Sequence, residues 1–258
     1  MSNFKLSLNL QLVYNQPINL SFEAFAKNEQ MKELGITKIS ETKEQLTVKF
    51  DNCTATFTKV NKKLDFDYGA FQKQADIFKG FEHFTFRHNA ISESKDHSFY
   101  IDVKVEANEE RAFLEIQNLF FAAMYQTDEE PPVGIHVPEN KVLLSYGDYV
   151  EFAVNQITDW GLYLAWINFH AHIGKRKTTV YTQGLKKLGE KDLEFTVKNG
   201  KELDAHKFLL NLAMHSLTST ASYHDGDTTT NTTNGKDYEF TKKKSKFLDS
   251  KVLELEKY

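Results

Sequence analysis

The run from Lys201 to Ala221 constrains this chain more than any other stretch. Leu203, Phe208, Leu209, Leu210, Leu212, Ala213, Met214 and Leu217 fall on one broad apolar stripe at ~100° per residue. That is the pattern of a half-buried helix, and Gly200 marks where it opens. Ahead of it stand the strand-like Thr178-Thr-Val-Tyr-Thr182 and a turn-rich segment in which Gly184 and Gly189 bracket a short helical turn. Asp225-Gly226-Asp227 follow the helix.

Read from the start, Leu6, Leu8, Leu10 and Leu12 alternate with Ser7, Asn9 and Gln11, the period of a strand with one wet face. Ser21 is placed to cap a helix carrying Phe22, Phe25, Ala26 and Leu34 and ending at Gly35. Leu46, Val48 and Phe50, then Cys53, Ala55 and Phe57, read as a hairpin across Asp51-Asn52. Phe71, Ala75 and Phe78 predict a helix stopping at Gly80, and Phe99, Ile101, Val103 and Val105 another strand. Asn108 caps a further predicted helix over 109–125. Residues 5–105 therefore follow the element order of a split β-α-β, ferredoxin-like unit.

Thr127–Pro138 combines three consecutive acids with three of the four prolines, and marks the expected internal boundary. Beyond it come a short helix at 147–157, the strand-like 161–173, a turn at Gly174-Lys175-Arg176, strands near 177–182 and 192–198, the long helix, and two terminal strands near Tyr238 and Leu253. The expected fold is α+β: two packed lobes, 1–126 and 127–258, of mainly antiparallel sheet with helices on one face.

Composition narrows the function classes. Net charge is −4, and only three of the 32 cationic residues are Arg (Arg87, Arg111 and Arg176), the side chain suited to bidentate phosphate and base recognition. No nucleic-acid partner is expected. A single cysteine, Cys53, forbids an internal disulfide, suits a reducing compartment, and falls on the apolar side of its hairpin, as a buried hydrophobe does. The first fifteen residues lack a basic n-region with an unbroken apolar core, and no run of ~18 apolar residues occurs. A cytoplasmic location without a membrane partner is the expectation.

The C-terminal part resembles the domain-of-unknown-function 4261 family of bacteria. The resemblance rests on Thr178-Thr-Val-Tyr-Thr-Gln-Gly-Leu-Lys-Lys-Leu-Gly189, Asp192-Leu-Glu-Phe195, the helix, Asp225-Gly-Asp-Thr228 and the closing apolar strand, over 178–258. It implies an α+β fold and carries over no catalytic residue.

Few residues present themselves for chemistry. His170 and His172 share a strand face with Trp166 and Asn168, and chelate a metal only if two more ligands arrive, His136 and His224 being the recruits. Asp225-Gly226-Asp227 begins like a calcium loop, but its twelfth position is Lys236 where a bidentate Glu is needed. No metal or cofactor is expected. Nucleophile elbow, P-loop, dinucleotide and zincin motifs are missing. Lys242-Lys243-Lys244 with Lys246 reads as a solvated strand edge, and the Thr- and Asn-rich 225–237 as a mobile loop or hairpin tip. The remaining expectation is a protein-binding protein whose acids Asp128, Glu129, Glu130, Asp148, Asp225 and Asp227 face a partner. An immunity protein against a secreted toxin, with a basic toxin domain as partner, is its concrete form. The alternative is an enzyme with a site near His170 and His172.

Overall fold

A computed structural model of the protein describes residues 6–27, 35–49, 53–78, 89–107, 131–150, 166–219 and 222–258. The chain groups into two units, one of residues 1–68 and 86–150, the other of residues 69–85 and 151–258. The fold is α+β, built on two mainly antiparallel sheets.

In the first unit the alternation of leucines does what it predicts. Strand β1 (Leu6–Tyr14) pairs antiparallel with β5 (Phe99–Ala107), which pairs with β4 (Cys53–Val60), which pairs with β3 (Gln45–Lys49). Register lines up Leu10, Val103, Phe57 and Leu46 in one apolar row, and Leu8, Val105, Ala55 and Val48 in the next, each at most 2% exposed. The opposite face carries Gln11, Asp102, Thr58 and Gln45, with Gln11 Nε2 donating to Asp102 (3.1 Å) and Gln45 Nε2 to Thr58 (3.2 Å). Cys53 is buried on the apolar face, as expected.

Three features of this unit differ from the sequence reading. An extra strand, β2 (Thr37–Glu41), forms the sheet edge and is exposed throughout, so it shows no apolar alternation. The segment holding the prolines contains β6 (Gly134–Val137), which pairs with β1 and with β7 (Val142–Ser145); both strands are buried along their whole length. The expected boundary at 127 thus falls between β5 and β6 of one sheet. The split-unit element order is present with β2 added, but the pairing is not: a split unit sets its first strand parallel to the second hairpin strand, whereas here β4 pairs with β5. Helix α1 (Phe22–Lys27) precedes Gly35, whose φ of 64° is the left-handed conformation expected there. The predicted helix over 109–125 lies outside the described residues.

The second unit contains α2 (Tyr68–Ile77, from Gly69 onward), β8 (Asn168–Ile173), β9 (Lys177–Gln183), a three-ten turn (Leu185–Leu188), β10 (Leu193–Lys198), and the long helix α4 (Glu202–Thr218). It closes with β11 (Thr228–Asn231), β12 (Lys236–Lys244) and β13 (Lys251–Lys257). Helix α3 (Tyr146–Val150), which starts the expected helix near 147, belongs to the first unit. Sheet order is β11-β12-β13-β10-β9-β8, with β10 and β13 parallel and the rest antiparallel.

Helix α4 lays its stripe on this sheet. Register aligns Ala171, Val180, Phe195, Leu255 and Phe240 across five strands, and all are buried. Leu209 and Ala213 of α4 are 0% exposed, and Phe208 meets Phe195 edge-on at 5.5 Å. Leu203, expected on the stripe, is 36% exposed, while His206, which the apolar pattern did not include, is buried against Phe169 and Phe78. The Thr- and Asn-rich segment folds as the β11–β12 hairpin.

Candidate functional site

The pleat that sends Ala171, Val180, Phe195, Leu255 and Phe240 toward α4 sends their neighbours to the other face. There the register aligns His170, Tyr181, Glu194, Glu254 and Thr241 in one row, and His172, Thr179 and Thr196 in the next. A loop between β12 and β13 reaches over this face with Ser245 and Phe247.

The histidines are parts of a ring stack. His170 is 8% exposed and lies on Tyr181 with centroids 5.1 Å apart at 23°; Tyr181 stacks on Phe247 at 4.9 Å and 9°. His172 is exposed and leans on Phe247 at 5.1 Å. The Tyr181 hydroxyl is pushed above its ordinary pKa by burial, then by the neighbouring charge of Glu194, so it stays protonated.

Both carboxylates of the row are engaged. Glu194 is 3% exposed and accepts a short hydrogen bond from Ser245 Oγ, which itself accepts from Phe247 N–H (3.0 Å) and Leu248 N–H (2.9 Å). Glu254 pairs with Lys243, which also reaches Glu256 at 3.6 Å. Lys243, read from sequence as part of a solvated edge, therefore lies on this face as the counter-charge of two acids. Among the described residues no three His, Cys, Asp or Glu side chains gather as a metal site. His136 sits in the first unit with its Nδ1 2.7 Å from Gln11 Oε1, and His224 pairs with Asp227 at 3.7 Å.

The acids expected to face a partner divide. Asp128, Glu129 and Glu130 lie outside the described residues. Asp148 is a correction: it is 6% exposed and turned back onto Ser145, whose Oγ caps α3 by accepting from Asp148 N–H (3.0 Å). Burial raises its carboxyl above the ordinary range. Asp225 and Asp227 are exposed, yet the fold uses both. Asp225 Oδ1 accepts from Lys242 N–H (2.6 Å), extending the pairing of β12 beyond the end of β11, and Asp227 Oδ2 accepts from His224 N–H (2.7 Å) around the left-handed Gly226 (φ 87°).

The segment that carries the family resemblance proves to be a folding device. Gly184 (φ 128°) and Gly189 (φ 90°) hold positive φ on either side of the three-ten turn, where a side chain is strained. Asp192, 4% exposed, collects the turn's loose donors: Leu185 N–H at 3.0 Å and Thr182 Oγ1 at 3.2 Å, with Gly184 and Lys186 N–H as further partners. Burial still outweighs these bonds and holds its pKa at about 6.

Residues 181–256 match the family model for a domain of unknown function, DUF4261. The match covers the C-terminal part of the chain. Comparison with curated proteins and with solved structures finds no match. Sequence reasoning had singled out only the histidines of the polar row. The alternating polar positions of TVYTQ, DLEF and VLELE signal that a second face exists, but not which strands lie side by side.

Proposed function

We propose that this protein acts by stoichiometric binding to another protein and catalyses no reaction. The observation that carries the reading is the state of the polar sheet face. The two histidines that represented the enzymatic alternative are rungs of a ring stack, and the adjacent carboxylates are engaged by Ser245 and Lys243. Groups so engaged rigidify a surface, and rigid aromatic surface is what binding hot spots are made of. The concrete form of the proposal is an immunity protein in the cytoplasm that neutralises a secreted bacterial toxin by direct contact, with Asp128, Glu129, Glu130, Asp225 and Asp227 facing a basic toxin domain. Net charge of −4 supports that orientation.

The test is a pull-down from the native host followed by titration of the recovered partner. Asp128, Glu129 and Glu130 are changed to Lys. Asp225 and Asp227 are changed to Asn, which removes charge while keeping the oxygen that Lys242 and His224 N–H require. Slower association with a weaker salt dependence is expected, because rim charges act mainly on the encounter rate. Turnover of any small molecule at catalytic amounts of protein would overturn the reading.

A further inference from the structure

Charge is unevenly distributed along this acidic chain. Residues 166–258 carry 16 Lys and Arg against 12 Asp and Glu, so the C-terminal stretch is cationic although the whole is not. Much of that excess collects at one end of the second sheet. The β8–β9 turn presents Lys175, Arg176 and Lys177; Lys198 at the end of β10 lies opposite Lys177 at the start of β9; Lys201 follows at the start of α4. All five are exposed.

This end is built, not loose. Asn199 ties the two turns together, donating its N–H to Arg176 O (3.4 Å) and its Nδ2 to Gly174 O (3.0 Å), while accepting Thr178 Oγ1 on Oδ1 (3.1 Å). Glu202, the nearest acid in sequence, is turned inward to Thr178 Oγ1 (2.8 Å) and Gly200 N–H (2.9 Å). Among the described residues Lys201 with Asp204 is the only ion pair in the group. The contrast is with Lys242-Lys243-Lys244, where Glu254 and Glu256 stand against the central cation, Lys243. Beside the tip lies Ile173, 54% exposed at the end of the sheet's edge strand. The N-terminus of the 17-residue α4 adds its positive dipole end.

We propose that this tip, Ile173 with Lys175, Arg176, Lys177, Lys198 and Lys201, docks an acidic protein segment carrying an apolar residue for Ile173. A cationic rim in which, among the described residues, only Lys201 is ion-paired, set around one exposed aliphatic side chain, fits that chemistry. A nucleic acid is disfavoured because four of the five cations are Lys and no exposed ring stands among them to stack a base. The proposal rests on the binding reading above and assigns it a second surface, opposite in charge to the Asp225–Asp227 turn.

Two labelled probes test it on the full chain: an oligo-glutamate, and a glutamate-rich peptide with one central Leu. Saturable one-to-one binding is expected, tighter for the Leu peptide. Combined charge reversal of Lys175, Arg176 and Lys177 to Glu is expected to weaken it by about tenfold or more at low salt, with little loss from the same change at the exposed Lys242, Lys244 and Lys246. Ile173→Ser is expected to erase the preference for the Leu peptide alone. Equal weakening by both triple variants overturns the assignment, as does tighter tip-dependent binding of a single-stranded oligonucleotide or of phosphatidylserine vesicles. A native partner that binds the tip variant as tightly as wild type removes the tip and leaves the binding reading intact.

Discussion

Asp192 is the residue at which the fold of the second unit is most exposed to test. Its carboxyl is raised from an ordinary 3.8 to about 6, and at about 1.4 kcal/mol per decade that corresponds to roughly 3 kcal/mol. The sign follows from the direction. Because the folded pKa lies above the unfolded one, the folded state binds the proton more tightly between pH 3.8 and 6. The group's contribution is therefore fully present below the unfolded value and is lost as pH rises through about 6. At neutral pH the ionised, buried carboxylate costs stability while its oxygens hold the turn together.

Two variants separate those roles. Asp192→Asn keeps an acceptor for Leu185 N–H and Thr182 Oγ1 and removes the charge. It is expected to change stability at pH 7 by no more than ~1 to 2 kcal/mol, and to abolish the gain of roughly 2 kcal/mol on acidification to pH 4. Asp192→Ala leaves buried donors without an acceptor and is expected to cost ~3 to 5 kcal/mol at pH 7, at ~1 to 3 per donor with partial rehydration. The assay is amide hydrogen exchange at Val180 and Phe195, corrected for intrinsic rates, because it reads this unit directly. Equal pH slopes in wild type and Asp192→Asn would refute the reasoning.

Three further outcomes are expected. Leu209→Ala, at a site 0% exposed between helix and sheet, is expected to destabilise by ~2 to 5 kcal/mol in urea titration, and a loss under ~0.5 kcal/mol would deny it a place in the core. Gln74 binds the edge strand as another strand would, its Nε2 donating to Ala171 O (3.3 Å) and its Oε1 accepting Ala171 N–H (2.9 Å); Gln74→Ala is expected to cost ~1 to 2 kcal/mol, speed exchange at Ala171 and promote association in light scattering. His136 has the opposite linkage to Asp192: burial lowers it from 6.5 to about 4, so stability of the first unit falls by roughly 3 kcal/mol as pH drops through that interval. Exchange at Leu10 and Val103 is expected to accelerate accordingly, and an unchanged slope in His136→Gln would rule the imidazole out as the cause.

How far the fold could be read depended on contrast between neighbouring residues. Strands β1, β3, β4 and β5 have one wet and one dry face, and their alternation is plain in the chain. The edge strand β2 has no dry face and so no pattern, while β6 and β7 have no wet one and so show no alternation either. His206 hides for a related reason, being a polar residue on the buried side of an otherwise apolar stripe. The polar row was harder still. His170, Tyr181, Glu194 and Glu254 become neighbours only through a register that joins strands as far apart in sequence as β10 and β13, and those two in parallel. Asp225 and Asp227 were legible as turn residues, but their hold on Lys242 and His224 N–H was not.

The match over 181–256 identifies a folding motif and is not itself a closed piece of structure. Its strands are completed by β8, which lies upstream, and the edge of β8 is in turn held by Gln74 of α2, from the first third of the chain. Phe78 joins the same core, fully buried with Ala171, Val180 and Leu209. Within the matched segment, Gly184, Gly189 and Asp192 serve the three-ten turn, and the apolar positions serve α4. The cationic turn at 174–177 and the exposed Ile173 lie outside it. The turn at 173–177 can therefore vary without touching the matched segment, whereas Lys198, Lys201, Asp225 and Asp227 lie within it, on or beside the elements that also build the scaffold.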